Sequence, residues 1–373
     1  MEVFFVGLSA ITFKQIIMII VGGVLIYLAI KKDYEPALLL PIGFGAILVN
    51  IPFTSVLTQV TDGVTQHGAL SILYEAGILT ELFPLLIFIA IGAMIDFTPL
   101  LQNPRLLLFG AAAQFGIFFT MTVASLFGFS LKEAASIGVI GTADGPTSIY
   151  VASRFAKNRL GPISVAAYSY MSLVPIIQPP VIRLLTTKKE RRIRMDYHEK
   201  KIPKLVKILF PIIVTLIAGL IAPVSLALIG FLMFGNLIRE CGVLERLSNA
   251  AQKELANIVT LLLGITIGST MTAEKFLRVD TLLILGMGLV AFIFDTAGGV
   301  LFAKFLNLFL KHKINPMVGA AGISAFPMSA RVVQKMGQQE DPSNFLLMHA
   351  ASANFAGQIG SVIAGGLILA LVK

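Results

Sequence analysis

Apolar stretches of about 20 residues, the length that crosses a hydrocarbon core of about 30 Å as a helix, recur from residue 15 to the C-terminus. No water is available inside a bilayer to satisfy free backbone groups, so only helices and closed β-barrels can span it. A barrel reads as segments of about 10 residues with alternating polarity, whereas these runs are continuous and rich in Gly, Leu and Ile. Of 373 residues, 56% are hydrophobic and 13% charged, against about 25% charged in ordinary soluble domains. A soluble enzyme is excluded, and the sequence predicts an all-α polytopic membrane protein.

The spans are expected at roughly 15–30, 37–53, 82–97, 106–129, 134–152, 161–185, 208–238, 256–272, 280–308, 316–333 and 344–372, about eleven transmembrane segments. An internal repeat orders them. Gly138-Val-Ile-Gly141-Thr-Ala-Asp-Gly-Pro146-Thr-Ser148 aligns without a gap on Gly319-Ala-Ala-Gly322-Ile-Ser-Ala-Phe-Pro327-Met-Ser329. Ile91-Gly92 and Gly110 are spaced like Ile267-Gly268 and Gly286, and Pro36 with Ile42-Gly43-Phe44 matches Pro223 with Ile229-Gly230-Phe231. The expected organisation is an N-terminal extra helix (1–35), a first repeat (36–187), a basic loop (188–207) and a second repeat (208–373). Five spans per repeat make the second inverted. This favours counting 208–238 once, although Pro223 could divide it. Inverted repeats mark transporters whose site lies near the bilayer midplane.

The net charge of +9 is concentrated between Lys188 and Lys207, and a short basic loop marks the cytoplasmic side. With eleven spans the N-terminus is then cytoplasmic and the C-terminus periplasmic or extracellular, which leaves Lys31-Lys32 outside, against the usual bias. The first apolar run lacks a small-residue cleavage site before Lys31 and reads as a retained span. The single cysteine, Cys241, excludes an internal disulfide and Cys-based metal sites. His67, His198, His312 and His349 lack metal-ligand spacing. No phosphate-cradling G-x-x-x-x-G-K-[ST] loop occurs, which argues against ATP-driven pumping.

Chemistry concentrates at the interrupted segments. Gly138, Gly141, Gly145 and Pro146 break one, and Gly319, Gly322 and Pro327 break the other, exposing carbonyls and N–H groups of the kind that bind Na⁺ or H⁺. Asp144 stands in the first break among Thr142, Thr147 and Ser148. An intramembrane carboxylate costs at least about 2.5–3.5 kcal/mol and is a functional candidate by default. Ionised it neutralises Na⁺, protonated it carries H⁺, and the bland alternative is a cap on a half-helix. Tyr170 offers a phenolic oxygen or proton, and Asn354 an acceptor amide. Asn315, Ser324 and Arg331 bracket the second break, where a guanidinium could hold a carboxylate by two hydrogen bonds or simply snorkel. Asp295 and Lys304 share a span, as a charge pair or on a cavity wall.

The stretches Gly141-Thr-Ala-Asp144-Gly-Pro-Thr147, Tyr168-Ser-Tyr170-Met, Asp295-Thr-Ala-Gly-Gly299, Ile314-Asn315-Pro316 through Gly319, and Ser324-Ala-Phe-Pro-Met-Ser-Ala-Arg331 resemble the β subunits of biotin-dependent, sodium-pumping decarboxylases over essentially the whole chain. That resemblance implies decarboxylation of carboxybiotin coupled to Na⁺ export and uptake of a periplasmic proton, in the bacterial inner membrane. It implies Asp144 as principal Na⁺/H⁺ residue, Asn354, Thr142 and Ser324 as ion ligands, and Tyr170 and Ser324 in ion or proton transfer. Asn315, Gly319 and Arg331 would line the second region, with Arg331 near the carboxylate of carboxybiotin. It further implies a fold like that of bile-acid-type sodium symporters, an elevator movement and a homotrimer. The partners implied are a biotin-carrier subunit, a carboxyltransferase α subunit and a small membrane-anchor subunit. No Met-Lys-Met biotinylation signal occurs here, so biotin would arrive on another chain. The chain lacks an N-terminal extension found in some oxaloacetate decarboxylase β subunits, which leans toward the methylmalonyl-CoA or glutaconyl-CoA complexes.

The competing expectation is a Na⁺-coupled symporter of an organic anion, which would use the same breaks and ligands. A passive channel or scaffold accounts for the hydrophobicity but not for an ionisable site at paired breaks.

Overall fold

The computed structural model describes residues 7, 9–32, 35–61, 63–195, 201–221 and 223–372. They are helical throughout apart from connecting loops and one antiparallel hairpin, β1 (Gln59–Thr61) with β2 (Val64–Gln66), in which Val60 faces Thr65. Helices α1 (Phe13–Lys32), α2 (Pro36–Val49), α3 (Leu82–Met94), α4 (Leu107–Ala113), α5 (Phe115–Leu126), α6 (Leu131–Gly138), α7 (Gly145–Phe155) and α8 (Leu160–Leu185) precede the basic loop. After it come α9 (Lys204–Ile221), α10 (Leu226–Glu240), α11 (Ala256–Gly268), α12 (Val279–Leu306), α13 (Met317–Ala320), α14 (Met328–Glu340) and α15 (Leu347–Leu371). Among the described residues, seven helices are long and apolar enough to cross a membrane, or up to nine if each bent pair is one span.

Helix α12 has 28 residues, about 42 Å of rise, and its ends define two poles. At its start Asp280 pairs with Arg159, which also reaches Glu133. At its far end Lys304 pairs with Glu190 at 3.2 Å and donates to the Leu185 carbonyl. The same basic pole holds the pairs Arg191–Glu340, Arg194–Asp341 and Lys207–Glu240. Asn315 and Asn344 donate there to the carbonyls of Arg191 and Ile193.

This frame corrects the expected span count in two places. The 208–238 stretch is not one span. Helices α9 and α10 form an antiparallel hairpin, with Gly219 against Leu226 beside the turn, Thr215 against Gly230, and Lys207 meeting Glu240 at the open end. Each helix passes the membrane test alone, because Pro223 starts a new first turn rather than continuing the old helix. The second correction concerns the broken segments, which do not cross. The Lys132 ammonium lies 5.8 Å over the Phe155 ring, so α6 and α7 enter and return at the pole of Asp280. Asn315 and Glu340 both meet Arg191, so α13 and α14 enter and return at the basic pole. The two hairpins dip into the bundle from opposite sides.

The N-terminal region also runs opposite to expectation. Asn50, at the end of α2, accepts from Ala273 N and donates to the Met271 carbonyl, which places it near the start of α12. Helices α1 and α2 are antiparallel across Gly22 and Gly43, so Lys31-Lys32 shares the basic pole and Phe13 the opposite one. The charge bias that eleven spans violated is thereby removed.

Matched glycines set the scaffold. A Cβ at Gly92 would collide with the Leu232 carbonyl of α10, and one at Gly268 with the Ile42 carbonyl of α2. Thus α3 packs on α10 as α11 packs on α2. Apolar side chains such as Leu184, Leu216 and Leu220 cover the outer surface, as lipid contact requires.

Overpacking at such a contact costs about 1–3 kcal/mol or more, so Gly92→Val and Gly268→Val should lower the detergent melting midpoint. Gly23→Val, which meets nothing within 4 Å, should leave it unchanged. At the basic pole the Arg191 guanidinium, 2.6 Å away, holds the Glu340 carboxyl below its ordinary range. A depressed carboxylate contributes stability that is complete above the unfolded value of about 4.3 and lost as pH falls through the depressed one. Hydrogen exchange of the 188–195 amides, corrected for its intrinsic pH dependence, should therefore rise on acidification beneath about pH 4. Glu340→Gln should raise it at neutral pH.

Candidate functional site

The first break forms where α6 stops in a short 3-10 turn, Val139–Thr142, and Ala143 takes a left-handed conformation with φ 51°. Asp144 then caps α7: its Oδ1 accepts from Thr147 N at 3.3 Å, and Pro146 occupies the first turn, where no donor is needed. The capping role therefore exists, but it uses one oxygen only. Oδ2 accepts from Thr147 Oγ1 at 2.6 Å, Ser361 Oγ at 2.8 Å and Gln358 Nε2 at 3.2 Å. Asp144 is 3% exposed, and every one of these donors is neutral. The partners orient a negative charge without cancelling it.

The second break lies beside the first. Ser324 N donates to the Thr142 carbonyl at 3.0 Å, joining the hairpins across the centre of the molecule. Ser324 Oγ donates to the Gly357 carbonyl at 3.0 Å, and Thr142 Oγ1 donates to Val139 O while accepting from Asp144 N. Asn354 Nδ2 donates to the Ile323 carbonyl at 2.6 Å, while its Oδ1 is fully buried without a hydrogen-bond partner. Asp144, Thr142, Ser324 and Asn354 are thus gathered around the two breaks.

Gln358 and Ser361 escaped the sequence reading. They stand at i+4 and i+7 from Asn354 on α15, one helical face, and this polar stripe in an apolar helix was the available signal. Gln178 of α8 donates to the Ala320 carbonyl and to Ser329 Oγ, satisfying the end of α13 that the break leaves open.

Tyr170 and Tyr168 separate. Tyr170 donates to the Leu285 carbonyl of α12, with its ring against Gly288. The ring of Tyr168 lies against Gly145, where a Cβ would overlap it, and its buried hydroxyl has no partner; this tyrosine adjoins the Asp144 turn. Asn315 is buried and clamps the basic loop, Oδ1 accepting from Met317 N. Gly319 packs backbone to backbone on Gly299. Arg331 is exposed near the start of α14, about two and a half turns from Glu340 and the basic pole. Asp295 and Lys304 do not pair, since Lys304 is taken by Glu190 and lies about 13 Å further along the helix. His198 lies outside the described residues.

Residues 14–372 match the family described as the Na⁺-transporting oxaloacetate decarboxylase beta subunit. The chain is 51% identical over 384 residues to the methylmalonyl-CoA decarboxylase subunit beta of Propionigenium modestum, covering 98% of this chain and 96% of the relative. It is 52% identical over 366 residues to the glutaconyl-CoA decarboxylase subunit beta of Acidaminococcus fermentans, covering 98% and 95%. Against the oxaloacetate decarboxylase beta chain of Klebsiella pneumoniae it is 45% identical over 420 residues, covering 98% and 97%.

Proposed function

The chain belongs to the β subunits of Na⁺-transporting decarboxylases, and from that premise we propose that it decarboxylates carboxybiotin and uses the released free energy to export Na⁺ against a proton taken up from the far side. The observation that carries the reading is Asp144: a buried carboxylate at the meeting of two opposed hairpins, held only by neutral donors. Such a group must take a cation or a proton to be neutral in a low-dielectric interior.

In this reading Na⁺ binds the Asp144 carboxylate with oxygen from Asn354, Thr142 and Ser324. The unpartnered Oδ1 of Asn354 supports its role. Protonation of Asp144 expels the ion. Ser324 and Tyr170 serve transfer to and from this centre, Ser324 because it touches both breaks and Tyr170 through its carbonyl contact on α12. Arg331 receives the carboxylate of carboxybiotin from the basic pole, and Asn315 and Gly319 hold the hairpin that presents it. We read the basic pole as cytoplasmic from its charge, so that Phe13 and Val372 would face the periplasmic side of a bacterial inner membrane.

We further read the scaffold as two inverted repeats resembling bile-acid-type sodium symporters. The reciprocal pairs α2–α11 and α3–α10 and the opposed hairpins support this. A homotrimer, a biotin-carrier subunit, a carboxyltransferase α subunit and a small membrane-anchor subunit are proposed on family membership.

Asp144→Asn should leave the protein inserted but abolish Na⁺-dependent release of CO₂ from carboxybiotin, measured on the assembled complex. Ser361→Ala removes one hydrogen bond to a charged group, worth about 1.5–3 kcal/mol, and should raise the Na⁺ concentration for half-maximal rate at least about tenfold. Wild-type Na⁺ dependence in Asp144→Asn would remove this residue from the centre of the mechanism. Turnover indifferent to avidin would point to a Na⁺-coupled symporter.

A further inference from the structure

A second carboxyl lies in the bundle, outside the Asp144 network. Asp295, midway along α12, has no exposed surface; neither of its oxygens has a partner at full hydrogen-bond geometry, and the donors that approach it are the neutral backbone N–H groups of Gly116 and Ile117. One oxygen abuts Gly116 at the start of α5, where a Cβ would lie 2.5 Å from Oδ1. The other abuts Gly141, three residues before Asp144, where a Cβ would overlap Oδ2. Both neighbours are glycines, so the carboxyl is admitted between the α4–α5 kink and the first break only because no side chain stands there. More unpartnered buried polar atoms lie in the same segments: Gln114 Oε1 at the kink, Thr120 Oγ1 one turn beyond Gly116, and Thr296 Oγ1 beside Asp295.

Among the described residues, no cation balances it. The elements packed on α12 are α4, α5, α6, α8, α13 and residues 139–142. Of these, α4, α5, α13 and 139–142 carry no titratable group. On α8, Tyr170 is bonded to Leu285 O, Tyr168 lies against Gly145, and Arg183 is exposed. On α6, Glu133 pairs with Arg159, and Lys132 lies over Phe155. Along α12 itself, Asp280 and Lys304 are paired at the two poles. An ionised carboxylate here would be an unpaired buried charge, which proteins avoid by neutralising the group.

We propose that Asp295 is a second proton-exchanging carboxyl of this protein: it holds a proton in the conformation described here and releases it when the Gly116–Gly141 seam opens during turnover. Release breaks the O–H bond of the acid, leaves the carboxylate, and passes the proton to water admitted at the seam; rebinding reverses this. The role in turnover rests on the pump reading above, whereas the protonation state does not.

Two measurements on the assembled, membrane-purified complex test it. Infrared difference spectra of wild type against Asp295→Asn should contain a protonated-carboxyl C=O band that the variant lacks and that shifts on transfer to D₂O only under turnover. Asp295→Asn keeps the shape of the neutral acid and should still bind ²²Na⁺ and unfold like wild type, yet slow Na⁺-dependent decarboxylation roughly a hundredfold, the scale of a lost proton-transfer group. Asp295→Glu, which restores a carboxyl, should recover part of the rate. Absence of the band across the pH range of the folded protein would overturn the proposal. A band that never exchanges, together with a wild-type rate in Asp295→Asn, would also overturn it and leave a structural acid. Loss of all activity in wild type, with the band present and exchanging, would count against the pump and not against Asp295.

Discussion

A helix broken inside a bilayer exposes donors and acceptors that lipid cannot satisfy, at several kcal/mol for each one left free. The rest of this molecule depends on how that demand is met. Ser324 N donates to the Thr142 carbonyl, so each hairpin supplies part of what the other lacks. Helix α15 closes the rest, giving Asn354 to the second hairpin and Gln358 and Ser361 to the first. Neither break is tenable alone. Together they place polar backbone, two hydroxyls and a carboxylate at the centre of an apolar bundle, which is the composition a desolvated small cation needs.

The hairpins need a frame that does not yield, and glycine contacts supply it. Where α3 meets α10 and α2 meets α11, carbonyl oxygens sit in the space a Cβ would fill, so the backbones approach as closely as small residues permit in membrane packing. Such interfaces fix helix positions by shape and ask little of the hydrophobic effect, which is weak between helices already surrounded by lipid tails.

At the basic pole the demands differ. Asn315 and Asn344 hold the backbone of residues 191–193 while Arg191 and Arg194 reach Glu340 and Asp341. The basic loop is therefore also the clamp on the second hairpin. A partner docking on this loop would act on the same residues that anchor α13 and α14.

Hydropathy, the basic loop and the family motifs were legible directly, and so was the residue at the centre: Asp144 stands out because a carboxylate in an apolar run has few neutral explanations. Sequence periodicity also pairs Gly92 with Gly268. It could not decide whether 208–238 is one helix or two, since Pro223 permits a kink or a turn equally, and that choice sets the side of everything after it. Nor could it show that the broken segments return to the side they entered, because an apolar run of about 20 residues has the same composition whether it crosses or doubles back. Gln358 and Ser361 were hidden for a similar reason, since their value lies in facing Asp144 from 214 and 217 residues away. The order of residues determined which groups are costly to bury in lipid; only the tertiary structure decided which of them meet, because hydrogen bonds between distant segments are set by packing and not by spacing along the chain.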